Sequence, residues 1–181
     1  MDAEGKVLAS PGERSVEGFN QTLELLQAYL DLKARSEAGD ESVAVELFLT
    51  ELLELRNIGF EEARARHGKL EGLSDEEDER VRAELVDLEV KDLIDRVNAR
   101  QVTPDEAAAT FVEMAKAGRA PTAPQQARLF WQQVLMHADR TEDPKLYEQA
   151  LVDLKAMFGS DARNAAIFAQ YEQRLKELKD G

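Results

Sequence analysis

The stretch that decides the fold is residues 103–118, TPDEAAATFVEMAKAG. Thr103 and Glu106 have the spacing of a capping box, in which each side chain accepts a hydrogen bond from the other residue's backbone N–H. Pro104 fits the first position of a helix, and Gly118 favours a helix end. Apolar residues recur between these ends at helical spacing: Ala107, Ala108, Phe111, Met114 and Ala115. The stretch therefore predicts a helix with both ends marked.

The same signals predict seven more helices, and no segment after residue 12 alternates as a strand would. Ser15 is expected to cap the first helix, and Ser74 with Glu77 forms a second capping box. Gly59 is expected to end the second helix in a left-handed conformation, and Ser160 to cap the eighth. The helices are predicted near residues 16–38, 43–55, 60–70, 75–99, 104–117, 127–138, 144–158 and 165–178.

Short loops of two to six residues favour antiparallel helical hairpins, so the fold class is predicted to be mainly α. Three stretches carry a family resemblance, namely residues 59–63 (GFEEA), 103–108 (TPDEAA) and 146–158, with Leu146, Tyr147, Ala150 and Phe158. They resemble parts of tetratricopeptide repeats, which implies a degenerate helical-hairpin array. The full W-x-x-L-G-x-x-Y pattern is absent and the hairpins are unequal in length. An irregular helical bundle remains the alternative.

The N-terminus has a different character. Residues 2–8, DAEGKVL, have the form of a tight β-turn between short extended runs, and Pro11-Gly12 separates them from the first helix. That helix is predicted to carry one apolar face, formed by Val16, Phe19, Leu23, Leu26 and Leu30. Turn, strand, loop and helix occur in an order that resembles the last β-hairpin and helix of a thioredoxin-like domain.

The thioredoxin-like resemblance covers residues 1–38 and implies a remnant of such a domain. The family's functional residues are a redox C-x-x-C and a facing cis-proline, and neither has a matching position here, so no residue is assigned a role. An isolated hairpin is barely stable in water, and a homodimer through pairing of this N-terminal hairpin is therefore expected if the hairpin forms. Residues 39–181 are predicted to form the helical-hairpin domain, with a sub-boundary at the proline-containing segment 119–124.

Composition excludes several function classes. The 181 residues carry a formal net charge of −14, which argues against binding to nucleic acid or to an anionic membrane surface. There is no cysteine, so disulfides, thiolate metal sites and cysteine nucleophiles are excluded. No apolar segment is long enough to span a bilayer, and residues 1–4 do not begin a signal peptide. The chain is expected to be soluble, and its compartment is not predicted.

No motif points to catalysis, a cofactor or a metal. His67 and His137 lie outside H-x-x-x-H and H-E-x-x-H patterns and are interpreted as surface residues near helix ends. An acidic run lacks the alternating oxygen pattern of a calcium loop and is interpreted as a helix N-terminus: Glu71, Asp75, Glu76, Glu77, Asp78 and Glu79. Trp131 is interpreted as a core residue rather than an exposed anchor. Catalytic, cofactor-binding and metal-binding residues are all predicted to be none.

The leading hypothesis is therefore a non-catalytic protein–protein interaction module appended to a thioredoxin-like domain, with a protein or peptide partner. The alternative is the C-terminal portion of a thiol oxidoreductase whose catalytic part lies outside this chain. A third possibility is a bundle that binds a small ligand in a closed apolar cavity. If the hairpins form a curved array, donors for an acidic peptide are offered by Arg64, Lys69, Arg96, Arg100, Lys116 and Arg119.

Overall fold

The structure, a computed structural model, describes residues 15–180, and this part of the chain is mainly helical. Its eight α-helices are α1 Val16–Glu37, α2 Ala44–Leu49, α3 Phe60–His67, α4 Asp75–Asn98, α5 Pro104–Lys116, α6 Pro124–Arg140, α7 Pro144–Phe158 and α8 Ala165–Asp180. Each overlaps a segment in which the sequence pattern predicts a helix, so the mainly α class is confirmed. The predicted β-hairpin at residues 2–8 lies outside the described residues.

Both predicted capping boxes are present. At the start of α5, the Thr103 backbone N–H donates to the Glu106 carboxylate at 2.9 Å, and the Glu106 N–H donates to the Thr103 hydroxyl at 3.2 Å. At the start of α4, the corresponding distances between Ser74 and Glu77 are 2.9 and 3.3 Å. These reciprocal bonds satisfy backbone donors that have no partner within the helix, and so fix where each helix begins.

The ends of two other helices differ from the prediction. Gly59 has an ordinary negative φ of −87° and precedes α3, whereas Arg56 takes the left-handed conformation with a φ of +50°. Asp161, not Ser160, provides the cap before α8, because its carboxylate accepts from the Arg163 N–H at 3.0 Å. That cap starts a short 3-10 turn, Ala162–Asn164, which leads into α8. Helix α3 also ends at His67, three residues earlier than predicted.

The predicted second helix is a composite of three helical forms. A 3-10 turn, Glu41–Val43, leads into α2, and a π-helical turn, Thr50–Glu54, follows it. The Leu55 N–H donates to the Thr50 carbonyl at 2.9 Å, a five-residue spacing that places one extra residue in the turn. An insertion of this kind is not visible in the apolar pattern, which remains continuous over the segment.

The described residues form two compact units that divide between Leu85 and Val86, inside α4. In the second unit, α5 packs on α6, α6 on α7 and α7 on α8. Their shared core holds aromatic rings in contact: the Phe130 ring centre lies 5.3 Å from that of Phe111 and 4.9 Å from that of Trp131. This core is continuous from α4 to α8.

A buried carboxylate ties the proline-containing segment into the second unit. Asp87 on α4 accepts hydrogen bonds from the Thr122 N–H and hydroxyl, both at 2.8 Å, and from the Ala123 N–H at 3.0 Å. The neighbouring Pro121 is fully buried. The predicted sub-boundary at 119–124 therefore lies inside the second unit, where its backbone donors are bound by α4 and α6 begins.

The first unit has a smaller core. Tyr29 and Leu32 of α1 pack against Val43, Leu47 and Leu55. The Tyr29 hydroxyl donates to the Glu51 carboxylate at 3.2 Å, and Arg66 of α3 forms an ion pair with the same carboxylate. Glu51 therefore links α1 and α3 through the π-helical turn.

Candidate functional site

Helix α1 carries two apolar faces, and only one of them belongs to the core. Ser15 caps the helix, its hydroxyl accepting from the Gly18 N–H at 3.0 Å, as predicted. The core face is formed by Leu25, Tyr29 and Leu32, which are four and three residues apart and so lie on one side of the helix. Leu25 is partly buried, and Tyr29 and Leu32 are buried. This face contacts the helical segment that begins at Glu41.

The second face is exposed. It is formed by Val16, Phe19, Leu23 and Leu30, whose exposed fractions are 79, 53, 49 and 47%. We call these four residues the α1 stripe. Leu26 belongs to the same row, but it lies at the border with the core face and packs partly against the first unit's core. The sequence pattern predicts that these residues share one apolar face, and the structure leaves four of them exposed.

The polar residues that border the stripe, Asn20, Thr22 and Gln27, are uncharged, and two of them are already hydrogen-bonded. The Thr22 hydroxyl donates to the Gly18 carbonyl at 2.8 Å, and the Gln27 amide donates to the Asp31 carboxylate at 3.3 Å. At about 100° per residue, the acidic residues of α1 up to Asp31 lie about 90° or more around the helix from the centre of the stripe. The stripe is thus an apolar surface with neutral borders on a strongly acidic chain.

Large exposed apolar side chains elsewhere in residues 15–180 are scattered. At most two occur on any one helix: Leu129 and Met136 on α6, Val152 and Met157 on α7, and Ile167 on α8. Isolated exposed apolar residues are normal on protein surfaces and need no special explanation. A row of four on one helix is different, because it forms a contiguous apolar patch of the kind that marks an interaction site.

The histidines and the acidic run take structural positions. The His67 Nε2 lies 2.7 Å from an Asp78 carboxylate oxygen, and Arg82 pairs with the same residue at 2.6 Å. Both histidines are half-buried, and His137 lies 3.4 Å from Arg140. The hydrogen bonds that Glu77 accepts from the Ser74 hydroxyl and backbone hold the pKa of that carboxyl below its usual 4.5. Residues 15–180 contain no group of three or more histidines and acids placed to hold a metal ion.

Most of the six basic residues proposed as donors are already paired within their own unit. Three pair with an acid on the same helix: Arg64 with Glu61 at 2.7 Å, Arg96 with Asp92 at 3.8 Å and Lys116 with Glu113 at 3.2 Å. Arg119 pairs with Glu89 of α4. The other two differ: Lys69 lines an open groove in the first unit, and Arg100 occupies a left-handed position with a φ of +59°. These side chains therefore do not make an evident anion site.

Trp131 is a core residue, as predicted, with 3% of its surface exposed. Its indole nitrogen has no hydrogen-bond partner among the described residues, so it does not act as a polar anchor. Burial raises the pKa of Tyr147 to about 12, and this phenol therefore stays protonated at neutral pH. An apolar hollow of about 180 Å³ between α4, α5 and α6 is smaller than the roughly 300 Å³ of common small-ligand sites.

The core face of α1 is the feature that the sequence analysis missed. Its residues Leu25, Tyr29 and Leu32 follow the same spacing as the stripe, but start at a different point of the helix. The presence of two such rows in the sequence of one helix is the signal that could have predicted two apolar faces. A helix of that kind must pack on two sides or leave one apolar side exposed.

Comparison of the chain with models of protein families, with characterised proteins and with solved structures finds no match. Across the described part of the chain, no helix is both long and apolar enough to cross a bilayer. The interpretation of the α1 stripe therefore depends on its own geometry and chemistry.

Proposed function

We propose that this chain is a non-catalytic protein–protein interaction module and that the α1 stripe is its docking face for a protein partner. The observation that carries the proposal is the exposure of Phe19, Leu23 and Leu30 in one row on a helix whose other face is already packed. Leaving such side chains in water costs about 1 kcal/mol or more each relative to burial. A partner surface that covers them recovers this free energy.

The second unit is proposed to serve as the scaffold, with α5 to α8 arranged as tetratricopeptide-like hairpins. Two observations support this arrangement. Each helix packs on the next along the chain, and only the three residues 141–143 connect α6 to α7. Short connections between packed neighbours are typical of antiparallel helical hairpins.

The docking proposal can be tested by photo-crosslinking in cells of the source organism. The photoreactive residue p-benzoylphenylalanine replaces the exposed Gln27 at the rim of the stripe, so the stripe itself stays intact. We expect a discrete protein adduct after illumination, and we expect a Leu23→Asp change to abolish it, because a charge at the centre of an apolar interface is costly to bury.

The matched control carries the same photoreactive residue at Val152, which is 61% exposed on α7 of the second unit. This position has no neighbouring apolar row and should give no specific adduct. The proposal is wrong if the Gln27 position yields no adduct, or if Leu23→Asp leaves the adduct unchanged while circular dichroism shows that the variant is folded.

The resemblance of residues 1–38 leads us to propose also that the module is appended to a thioredoxin-like domain. Its competitor is a C-terminal portion of a thiol oxidoreductase, in which the same upstream domain would be catalytic. Reading the gene upstream of the Met1 codon tests both. An in-frame domain with C-x-x-C and a later proline favours the oxidoreductase, one without C-x-x-C favours the appended module, and an in-frame stop codon contradicts both.

A further inference from the structure

The α1 stripe, taken together with the half-buried Leu26, has the spacing of a two-helix seam. Val16, Phe19, Leu23, Leu26 and Leu30 follow one another at intervals of three, four, three and four residues. This alternation is the a and d pattern of a coiled coil, in which each apolar side chain enters a hole on a facing helix. Leu23 lies at the centre of the row, with two members before it and two after.

The borders of this seam indicate which partner fits it. In a coiled coil, the positions beside the seam set partner choice through charge, and opposite charges there select a different chain. Here those positions are Asn20 and Gln27 on one side and Thr22 and Tyr29 on the other, all uncharged. Tyr29 is buried in the first unit's core, so the other three are the flanking residues open to a partner. The flanking positions therefore carry no charge that a different partner could pair with. When two copies of the seam face each other, no like charges meet at these positions.

We infer that the α1 stripe pairs with the α1 stripe of a second copy about a two-fold axis, so that this chain forms a homodimer. The inference rests on the proposed function, because it names the partner of the same docking face. A two-fold axis brings one surface patch against itself, and the neutral borders of the stripe make that arrangement self-compatible.

Two features define how strong this dimer is. Helix α1 has 22 residues and is about 33 Å long, but the apolar row covers only residues 16–30, about two heptads, because the next seam positions are Lys33 and Glu37. The interface is therefore small. The net charge of −14 on each copy opposes association at long range, and salt screens that repulsion. We therefore expect a dimer with a Kd in the micromolar range that becomes tighter as the salt concentration rises.

Sedimentation equilibrium of the full chain between about 1 and 200 µM tests this inference. The wild type should move from monomer to dimer over this range, with tighter association at about 0.5 M salt than at 0.05 M. The Leu23→Asp variant should associate at least about 100-fold more weakly, whereas Val152→Asp, an equal change on an exposed residue of α7, should associate like the wild type. A wild-type monomer at every concentration overturns the inference, as does a dimer that Leu23→Asp leaves intact.

A crosslinking measurement locates the contact directly. Because the chain has no cysteine, Leu23→Cys and Val152→Cys each introduce a single thiol. A short bismaleimide should join two Leu23→Cys copies whether the paired helices run parallel or antiparallel, because Leu23 lies at the centre of the seam. It should not join two Val152→Cys copies. Equal crosslinking of the two variants would show collisional contact and contradict a seam at α1.

The failure of this inference is separable from the failure of the proposed function. If the purified chain is monomeric while the Gln27 position crosslinks to a different protein in cells, the homodimer is wrong and the docking face stands. If the Gln27 position crosslinks to nothing in cells, the proposed function is wrong, whatever the purified chain does in solution.

Discussion

The two units of this molecule differ in how completely they bury their apolar residues. The second unit has one continuous core of 19 buried residues contributed by α4 to α8, whereas the first unit buries ten apolar residues, five of them in the cluster around Tyr29. The first unit also leaves the α1 stripe in water. A closed core needs no further contact to be stable, but an exposed apolar row gains from one. The proposed scaffold and the proposed docking face therefore lie in different units.

The largest expected effect comes from opening the core of the second unit. Phe130 has no exposed surface and its ring contacts both Phe111 and Trp131, so Phe130→Ala leaves a cavity that its neighbours cannot fill. We expect a loss of about 3–5 kcal/mol in the free energy of unfolding, measured by urea denaturation.

Leu23→Ala in the α1 stripe is the matched change. Measured at a dilution where the chain is monomeric, it should alter the free energy of unfolding by about 0.5 kcal/mol or less. Comparable losses for the two variants would mean that the stripe is part of a core, and the contrast between the units would disappear.

A smaller loss is expected from Asp87, the one buried charged residue among residues 86–180. Replacing it with alanine leaves the Thr122 and Ala123 N–H groups and the Thr122 hydroxyl without their acceptor. The expected loss is about 2–3 kcal/mol by thermal or urea unfolding. Asp87→Asn keeps one acceptor oxygen and should lose less. If the alanine variant is as stable as the wild type, the segment at 119–124 does not depend on this carboxylate.

These two sites illustrate what the sequence could predict about the fold. The apolar spacing of α6 predicts that Phe130 and Trp131 share its buried face, and both are buried. The link from Asp87 to Thr122 spans 35 residues and leaves no local pattern, so only the folded chain reveals it. Local sequence defines helices and their inward faces, whereas contacts between distant segments depend on how the helices pack.

Helix ends were predictable where a side chain fixes them and less so elsewhere. Ser15 and the Thr103–Glu106 box form because an oxygen at a fixed offset binds a free N–H. Gly59 was the expected left-handed residue, but the chain turns at Arg56 after the π-helical turn lengthens the helix by one residue. At Ser160 and Asp161 two adjacent residues can cap, and sequence alone does not choose between them.

The sequence predicts which residues form the α1 stripe, but it does not predict that they are exposed. The row of Val16, Phe19, Leu23 and Leu30 is evident from the sequence, but its exposure is not, because any apolar row on a helix is expected to face the core. Whether such a row is covered depends on what else the helix packs against. Tyr29 and Leu32 occupy the available core, and the stripe is left outside.

The next effect in size compares the capping boxes at the starts of α4 and α5. Ser74→Ala and Thr103→Ala should each lower the melting temperature by about 2–4 °C at pH 6. Hydrogen bonds from these residues lower the pKa of Glu77 and Glu106 below the usual 4.5. A carboxyl with a lowered folded pKa stabilises the protein above its unfolded pKa, and this contribution is lost as the pH falls through the folded pKa.

The penalty of each alanine change should therefore shrink between pH 5 and pH 3, as calorimetry at these pH values would show. Glu106→Gln is the control, since a neutral side chain in the same position should remove the pH dependence while keeping part of the cap. A penalty for Thr103→Ala that grows on acidification would contradict the assignment.

The smallest expected effect concerns backbone strain and applies equally to both units. Arg56 and Arg100 have left-handed φ angles of +50° and +59°, which a residue with a side chain adopts at a cost. Arg56→Gly and Arg100→Gly should each raise the free energy of unfolding by about 0.5–1 kcal/mol, less what glycine adds to the freedom of the unfolded chain. The reverse change, Gly39→Ala at a φ of +89°, should lower it by a similar amount, because open space around the added Cβ leaves only the backbone cost. Equal gains at Arg56 and Arg100 would show that the units differ in their apolar packing and not in the local strain of their turns. A gain at only one of the two positions would mean that the side chain of the other arginine makes contacts worth as much as the strain it imposes.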